Sequence, residues 1–237
     1  MAAIPRIHVL TGGPYHPVAD QFEVVAERLG DRAVVELRDG VSALDDLDGC
    51  DLFVAAGLHW TGMDGLPQSG PPWPDGVAAT SYRSPDERRR QAFADYVSSG
   101  KPLLAWHGGT GSFDDWPEFG RLLGFRWVWG TTSHSAYDRW RVEVEPTGHP
   151  AVAGAESFDV TDELYYDVEF AEDMRVAVHA TADYDGAKRP MVVTAEGGRA
   201  PGAGRTAFLA NGHDMRAFDA EPFLRIVVNT VDWLLSA

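Results

Sequence analysis

Short apolar runs at 7–10, 33–37, 52–56 and 103–106 recur through the first half of this 237-residue chain, each closing on a glycine-containing turn. Helical-period stretches stand between them. Residues 17–29 place Phe22, Val25, Ala26 and Leu29 on one face and stop at Gly30. Buried strands that alternate with helices are joined by right-handed crossovers, so the pattern predicts an α/β fold around a mostly parallel sheet. A second helix is predicted to open with Ser84 as N-cap, Pro85 at the first helical position and Glu87 closing a capping box, and to run to about 99. A short helix over 116–123 and a last one over about 221–235 complete the helical set. Strand-like runs at 140–144, 165–170, 175–181, 191–194 and 206–210 predict an added, partly antiparallel section in the second half. Residues 60–83, rich in Gly, Pro, Ser and Trp, read as a lid or binding loop. No linker divides the chain, so one domain over 1–237 is expected.

Charge narrows the partners. Asp and Glu number 36 against 20 Lys and Arg, a net charge of −16. A surface of that sign repels phosphate backbones, which argues against nucleic acid. No apolar run approaches the ~18 residues of a membrane span, and the N-terminus has no secretory pattern. The single cysteine, Cys50, allows no intrachain disulfide. A cytoplasmic protein is expected from these features together.

In an open parallel sheet ligands bind beyond the carboxyl ends of the strands. His16, His59, His107 and His213 each follow a predicted strand and should meet along one edge, although they are remote in sequence. His107 is the sharpest position, because a strand running into Gly108-Gly109 presents one side chain at the top of the sheet, as a nucleophile elbow does. Thr110 and Ser112 follow as candidate hydrogen-bond donors to a ligand. The apex carries no thiolate or hydroxyl, so glutamine amidotransfer is not expected. Cys50 precedes the third strand, at the opposite edge. His8, His149 and His179 occupy strand or turn positions without a partner legible in the sequence. Neutral imidazoles at His16, His107 and His213 suit a divalent metal such as Zn²⁺, or shuttle protons without one, and no compact metal motif chooses between these. Asp162, Glu163 and Asp214 are the acids placed to orient an imidazole or complete a metal shell. Tyr15, Trp60 and Trp116 are candidate walls for stacking a sugar ring.

Tyr15-His16-Pro17, Leu103-Leu104-Ala105-Trp106-His107-Gly108-Gly109, Trp116-Pro117-Glu118-Phe119-Gly120, His134, His149-Pro150, Asp162-Glu163-Leu164-Tyr165 and Asn211-Gly212-His213 occur in this order along nearly the whole chain. In these motifs the chain resembles the ThuA-like (trehalose utilisation) family. The resemblance implies a flavodoxin-like core related to class I glutamine amidotransferases, with helices on both faces of the sheet. It implies a site near His16, His107, His134 and His213, with Glu163 beside them, and a link to carbohydrate metabolism, including trehalose and 3-keto derivatives of disaccharides. His134 enters through the resemblance alone. Gly202-Ala203-Gly204-Arg205 stands where the family carries a Gly-Lys-Gly-Arg run, and 197–202 lacks its aromatic residue. Two readings of function stand side by side. One is an enzyme on a disaccharide or 3-keto-glycoside, with His107 and His213 as base or metal ligands and His16 as third ligand or acid. The other is a non-catalytic sugar-binding or regulatory module. Either takes a small carbohydrate as partner, without nucleic acid or membrane, and leaves homo-oligomers open.

Overall fold

A computed structural model describes residues 3–67 and 79–236. Strands β1 (Arg6–Thr11), β2 (Val34–Asp39), β3 (Leu52–Ala55) and β4 (Leu103–Trp106) alternate with helices α1 (Val18–Leu29) and α2 (Glu87–Ser98). Helix α3 (Pro117–Leu123) leads into short strands β5 (Phe125–Arg126) and β6 (Ser133–His134), then β7 (Asp138–Val144) and β8 (Phe158–Asp162). Two further short strands, β9 (Tyr165–Tyr166) and β10 (Glu169–Phe170), precede β11 (Arg175–Tyr184), β12 (Ala187–Glu196), β13 (Arg205–Leu209) and helix α4 (Glu221–Leu235). Among the described residues, nine strands form one sheet in the order β2-β1-β3-β4-β13-β12-β11-β7-β8. The first five are parallel to their neighbours, and the rest pair antiparallel.

The central parallel strands carry unbroken apolar sequence because both their faces are covered. All four residues of β3 and all four of β4 are buried. Edge strand β2 instead leaves Val34 and Leu37 exposed. Helices α1 and α4 pack together, as do α2 and α3. Phe53, Phe93, Phe119 and Trp116 join α2 and α3 to the sheet through a chain of aromatic contacts.

The expected cap of α2 is displaced by two residues. Asp86 accepts the Arg89 amide at 2.9 Å, while Ser84 Oγ accepts from the Arg90 guanidinium instead. A carboxylate at the N-cap also pairs with the Arg89 side chain, a contact the Ser84 hydroxyl cannot match. In the second half, the expected strands at 175–181 and 191–194 are parts of a longer hairpin, β11–β12. Its turn, Asp185-Gly186, has φ of 51° and 71°, the two positive values a tight two-residue hairpin needs. The expected strand over 165–170 is interrupted where Asp167 takes φ 56°. β8 escapes the sequence pattern because it is short and offers only two apolar residues, Phe158 and Val160, with a buried carboxylate at Asp162 where a third would stand. The loop expected over 60–83 lies partly outside the described residues, at 68–78. Among the described residues no helix is long and apolar enough to cross a membrane.

Two histidines are buried far from the strand ends discussed below. His8 on β1 stands 3.4 Å from Glu36, and His179 sits at a bulge of β11 between Thr147 and Thr194. Burial, with Arg38 beside His8 and His149 beside His179, lowers both imidazoles to about 4. Their folded values lie below the ordinary 6.5, so the unfolded chain takes up protons first as pH falls. Their stabilisation is complete above about 6.5 and is lost progressively toward pH 4, on the order of a few kcal/mol in all. Urea denaturation at several pH values should show this loss, with a shallower slope in His179→Gln; equal slopes in the two proteins would contradict it.

Candidate functional site

His16 lies in the turn between β1 and α1, His107 directly after β4, and His213 four residues beyond β13. Those three strands belong to the parallel half of the sheet, so their carboxyl ends share one rim. One ligand atom from each imidazole falls within 4.8 Å of the others. Ring centroids are 4.9 Å apart for His16–His107 and His16–His213, and 5.6 Å for His107–His213.

Each ring is held by its own local structure. His107 takes φ 40°, a left-handed backbone unusual for a side-chain-bearing residue and consistent with a sharp elbow. Its Nδ1 donates to the Ala210 carbonyl at 2.6 Å, which leaves the lone pair on Nε2. That Nε2 is buried without a partner. Tyr165 covers the ring, with centroids 4.0 Å apart. The glycines after it serve two close approaches. A Cβ on Gly108 would meet the His16 ring at 2.6 Å, and one on Gly109 would meet the Ala55 carbonyl oxygen at 2.0 Å. His16 is itself buried, and its Nδ1 has no partner. His213 rides on the segment after β13, which Asp162 fastens. Asp162 Oδ2 accepts the Gly212 amide at 2.7 Å, and Oδ1 accepts those of His213 at 3.1 Å and Glu163 at 2.8 Å. The Gln21 amide donates to the Gly212 carbonyl from the other side.

Glu163 bridges two imidazoles. Its Oε2 stands 3.3 Å from His213 Nδ1 and its Oε1 3.4 Å from His134 Nδ1. The electrostatics divide the rings. Burial, reinforced by His213 and His134, lowers His16 to about 3. Burial and the neighbouring imidazoles lower His107 well below its ordinary value. At His213 burial also pulls downward, but Glu163, Asp162 and Asp214 outweigh it and the net shift is upward. Two rings that burial keeps neutral therefore face one ring that a carboxylate favours in its protonated form.

These rings lie at a cavity of about 1050 Å³. One wall is aromatic: Trp60 stacks between Tyr15 at 6.1 Å and Trp129 at 5.6 Å, and Trp127 adjoins Trp129 and Tyr165. Opposite chemistry is supplied by His134, Glu163, Tyr137, Asp214 and Arg216. The Tyr137 hydroxyl donates to Asp214 at 3.0 Å, and burial together with Asp214 raises its pKa, so the phenol stays protonated. Arg216 pairs with Asp214 and lies 4.1 Å over the Tyr137 ring.

Of the residues singled out from sequence, Tyr15, His16, Trp60, Gly108, His134, Glu163, His213 and Asp214 line this cavity, and His107 lies beneath it against His16. Others are placed elsewhere. Trp116 is buried among Phe93, Phe113 and Phe119, because its position before α3 faces the core rather than the rim. Thr110 donates its hydroxyl to the His107 carbonyl, and Ser112 donates to Gly57 while accepting from the His59 amide, so both close the turn. Gly109 packs on the end of β3. His59 is bonded to the Thr11 carbonyl at 2.8 Å and stacks on Phe113, joining the β1 and β3 turns instead of the imidazole cluster. Cys50 is buried next to Tyr96, before β3 and at the other end of the strand from the cluster. The sequence reading missed Trp127, Trp129, Tyr137 and Arg216. Their one available signal was the aromatic repeat Trp127-Val128-Trp129 in a stretch without regular periodicity.

Comparison with known proteins bears on the family and the fold. The family model named ThuA, described as trehalose utilisation, matches residues 73–234. Among solved structures, a protein described as ThuA-like from Parabacteroides merdae superposes with a TM-score of 0.70 at 19% identity, covering 99% of this chain and 91% of its own. Another described as ThuA-like, from Bacteroides uniformis, gives 0.64 at 17% identity over 99% and 93%. A cytoplasmic protein of Salmonella typhimurium gives 0.63 at 12% identity over 97% and 98%. At these identities the likeness is one of fold. No curated protein matches the chain.

Proposed function

Because the chain belongs to the ThuA (trehalose utilisation) family, we propose that it is an enzyme acting on a carbohydrate, a disaccharide or 3-keto-glycoside, by chemistry centred on the histidine cluster. The observation that carries this reading is the meeting of His16, His107 and His213 at a cavity with an aromatic wall. Aromatic faces suit the apolar faces of sugar rings, and the Tyr137–Asp214–Arg216 group suits sugar hydroxyls. The parallel strand order β2-β1-β3-β4-β13 and the helix pairs α1–α4 and α2–α3 support the flavodoxin-like form with helices on both faces.

A 3-keto-glycoside has an acidic C–H next to its carbonyl. In this reading Glu163 takes that proton, and its neighbour His134, which also lines the cavity and is partly exposed, passes it toward water. The electron pair left on that carbon forms a double bond to the anomeric carbon and expels the glycosidic oxygen, which takes a proton from water and leaves as the free sugar or alcohol. Water then adds at the anomeric carbon and a proton returns to the carbon beside the carbonyl, giving the 3-keto sugar. Throughout, the carbonyl oxygen faces the imidazole cluster. Tyr137, kept protonated by its setting, remains a donor across the working pH range.

Incubation of the purified chain with 3-ketotrehalose and related 3-keto-glycosides should release free sugar, followed by chromatography. Calorimetric binding of these compounds with no turnover would replace the enzyme by the sugar-binding module. The stacking wall has its own consequence. Trp60→Ala should raise KM by roughly 3- to 10-fold with little change in kcat, since lost stacking of about 0.5–1.5 kcal/mol is felt equally in ground and transition states. An unchanged KM would remove Trp60 from the substrate's path.

A further inference from the structure

We propose that His16, His107 and His213 form a transition-metal site, suited to Zn²⁺, whose remaining coordination position opens into the cavity. This goes beyond the carbohydrate reading and is tested by metal binding, so either can fail without the other.

The first ground is polar satisfaction. His107 Nε2 and His16 Nδ1 are buried and lack partners. A buried polar atom left unpaired costs about 1–3 kcal/mol, and here two such atoms belong to rings in contact. A metal ion among the three rings would give both atoms a partner.

Geometry is the second ground. Ligand nitrogens bound to one tetrahedral Zn²⁺ at ~2.05 Å lie about 3.3 Å apart. The observed spread of up to 4.8 Å is wider than that, so the rings would draw together on binding. Three imidazoles without a thiolate match zinc or a neighbouring first-row metal and do not match Mg²⁺ or Ca²⁺. Three protein ligands with a cavity above them are the pattern of a catalytic site rather than a structural one.

A third ground is the shell behind the ligands. The Ala210 carbonyl holds His107 in the tautomer that presents Nε2. Glu163 stands at His213 Nδ1, the carboxylate–histidine arrangement that orients a metal-bound ring. Asp162 fixes the backbone of His213, and Gly108 leaves the space that His16 occupies. Asp162, Glu163 and Asp214 also supply negative charge near a dication. When bound, the metal would polarise the substrate carbonyl as a Lewis acid.

The test is to load the purified chain with Zn²⁺ or Co²⁺, dialyse against metal-free buffer, and measure retained metal by plasma mass spectrometry. The Co²⁺ form is also read by visible absorption. One ion per chain and ligand-field bands of a low-coordinate cobalt site are expected. His107→Gln and His213→Gln should weaken metal affinity at least 100-fold. Gly108→Ala, which drives a methyl into the His16 ring, should weaken it roughly 10- to 100-fold. His149→Asn, outside the cluster, should retain the ion, and circular dichroism checks that each variant folds. A wild-type chain that retains no ion and shows no cobalt bands overturns the site. Equal retention by folded His107→Gln and wild type also overturns it. Retained metal without sugar turnover would leave the site standing and end the enzymatic reading.

Discussion

Glu163→Gln is expected to lower kcat on a 3-keto-glycoside by about 10²- to 10⁴-fold while leaving substrate binding nearly intact. Glu163 lines the cavity, is largely buried, and stands within 3.3–3.4 Å of both His213 and His134. The amide keeps the shape and one acceptor oxygen but cannot take a proton. If Glu163 is the base, the loss falls on kcat and on kcat/KM alike, since the interaction matters only as the proton moves. If it only orients His213, the amide carbonyl still accepts from Nδ1–H and the loss should stay within about 10-fold. Steady-state kinetics on both variants, Glu163→Gln and Glu163→Asp, separate the two roles. Kinetics within twofold of wild type would remove Glu163 from the reaction.

The second large effect is on stability. Asp162→Ala should destabilise the fold by about 3–5 kcal/mol, because three backbone amides lose their acceptor at once and each unsatisfied buried donor costs about 1–3 kcal/mol. The carboxylate is fully buried on the last residue of β8 and ties the Gly212 and His213 amides to that strand. Asp162→Asn keeps one oxygen in place and should lose roughly half as much. Urea denaturation measures both. Function should suffer more than global stability does, because releasing the segment after β13 frees His213 from the cluster. A change below 1 kcal/mol for Asp162→Ala would mean that water replaces the carboxylate and that the segment is held by other contacts.

These two residues show where residue-level reading stops. Asp162 and Glu163 are adjacent, and both are read from sequence as acids able to orient an imidazole. The end of β8 separates them: Asp162 is buried against the Gly212 and His213 amides, and Glu163, just past the strand, lines the cavity. Because β8 was not legible as a strand, that division of labour was not legible either. The same holds for the four strand-end histidines. Their shared rim follows from strand direction alone, yet His59 turns aside to the Thr11 carbonyl while the other three converge. Trp116 shows the reverse error: an aromatic close to the elbow in sequence faces Phe93 and Phe119 in space.

Residue order alone settled the parallel α/β core, the elbow at His107 and the rim on which His16 and His213 emerge. Those features depend on local periodicity and on glycines placed after strands, and both are written in consecutive residues. The pairing of Glu163 with two imidazoles, the aromatic wall of Trp127 and Trp129, and the choice of which histidines meet were decided only by tertiary structure. They rest on contacts between segments tens of residues apart, brought within a few ångströms by packing of the antiparallel section against the parallel one. No short-range pattern encodes such distances.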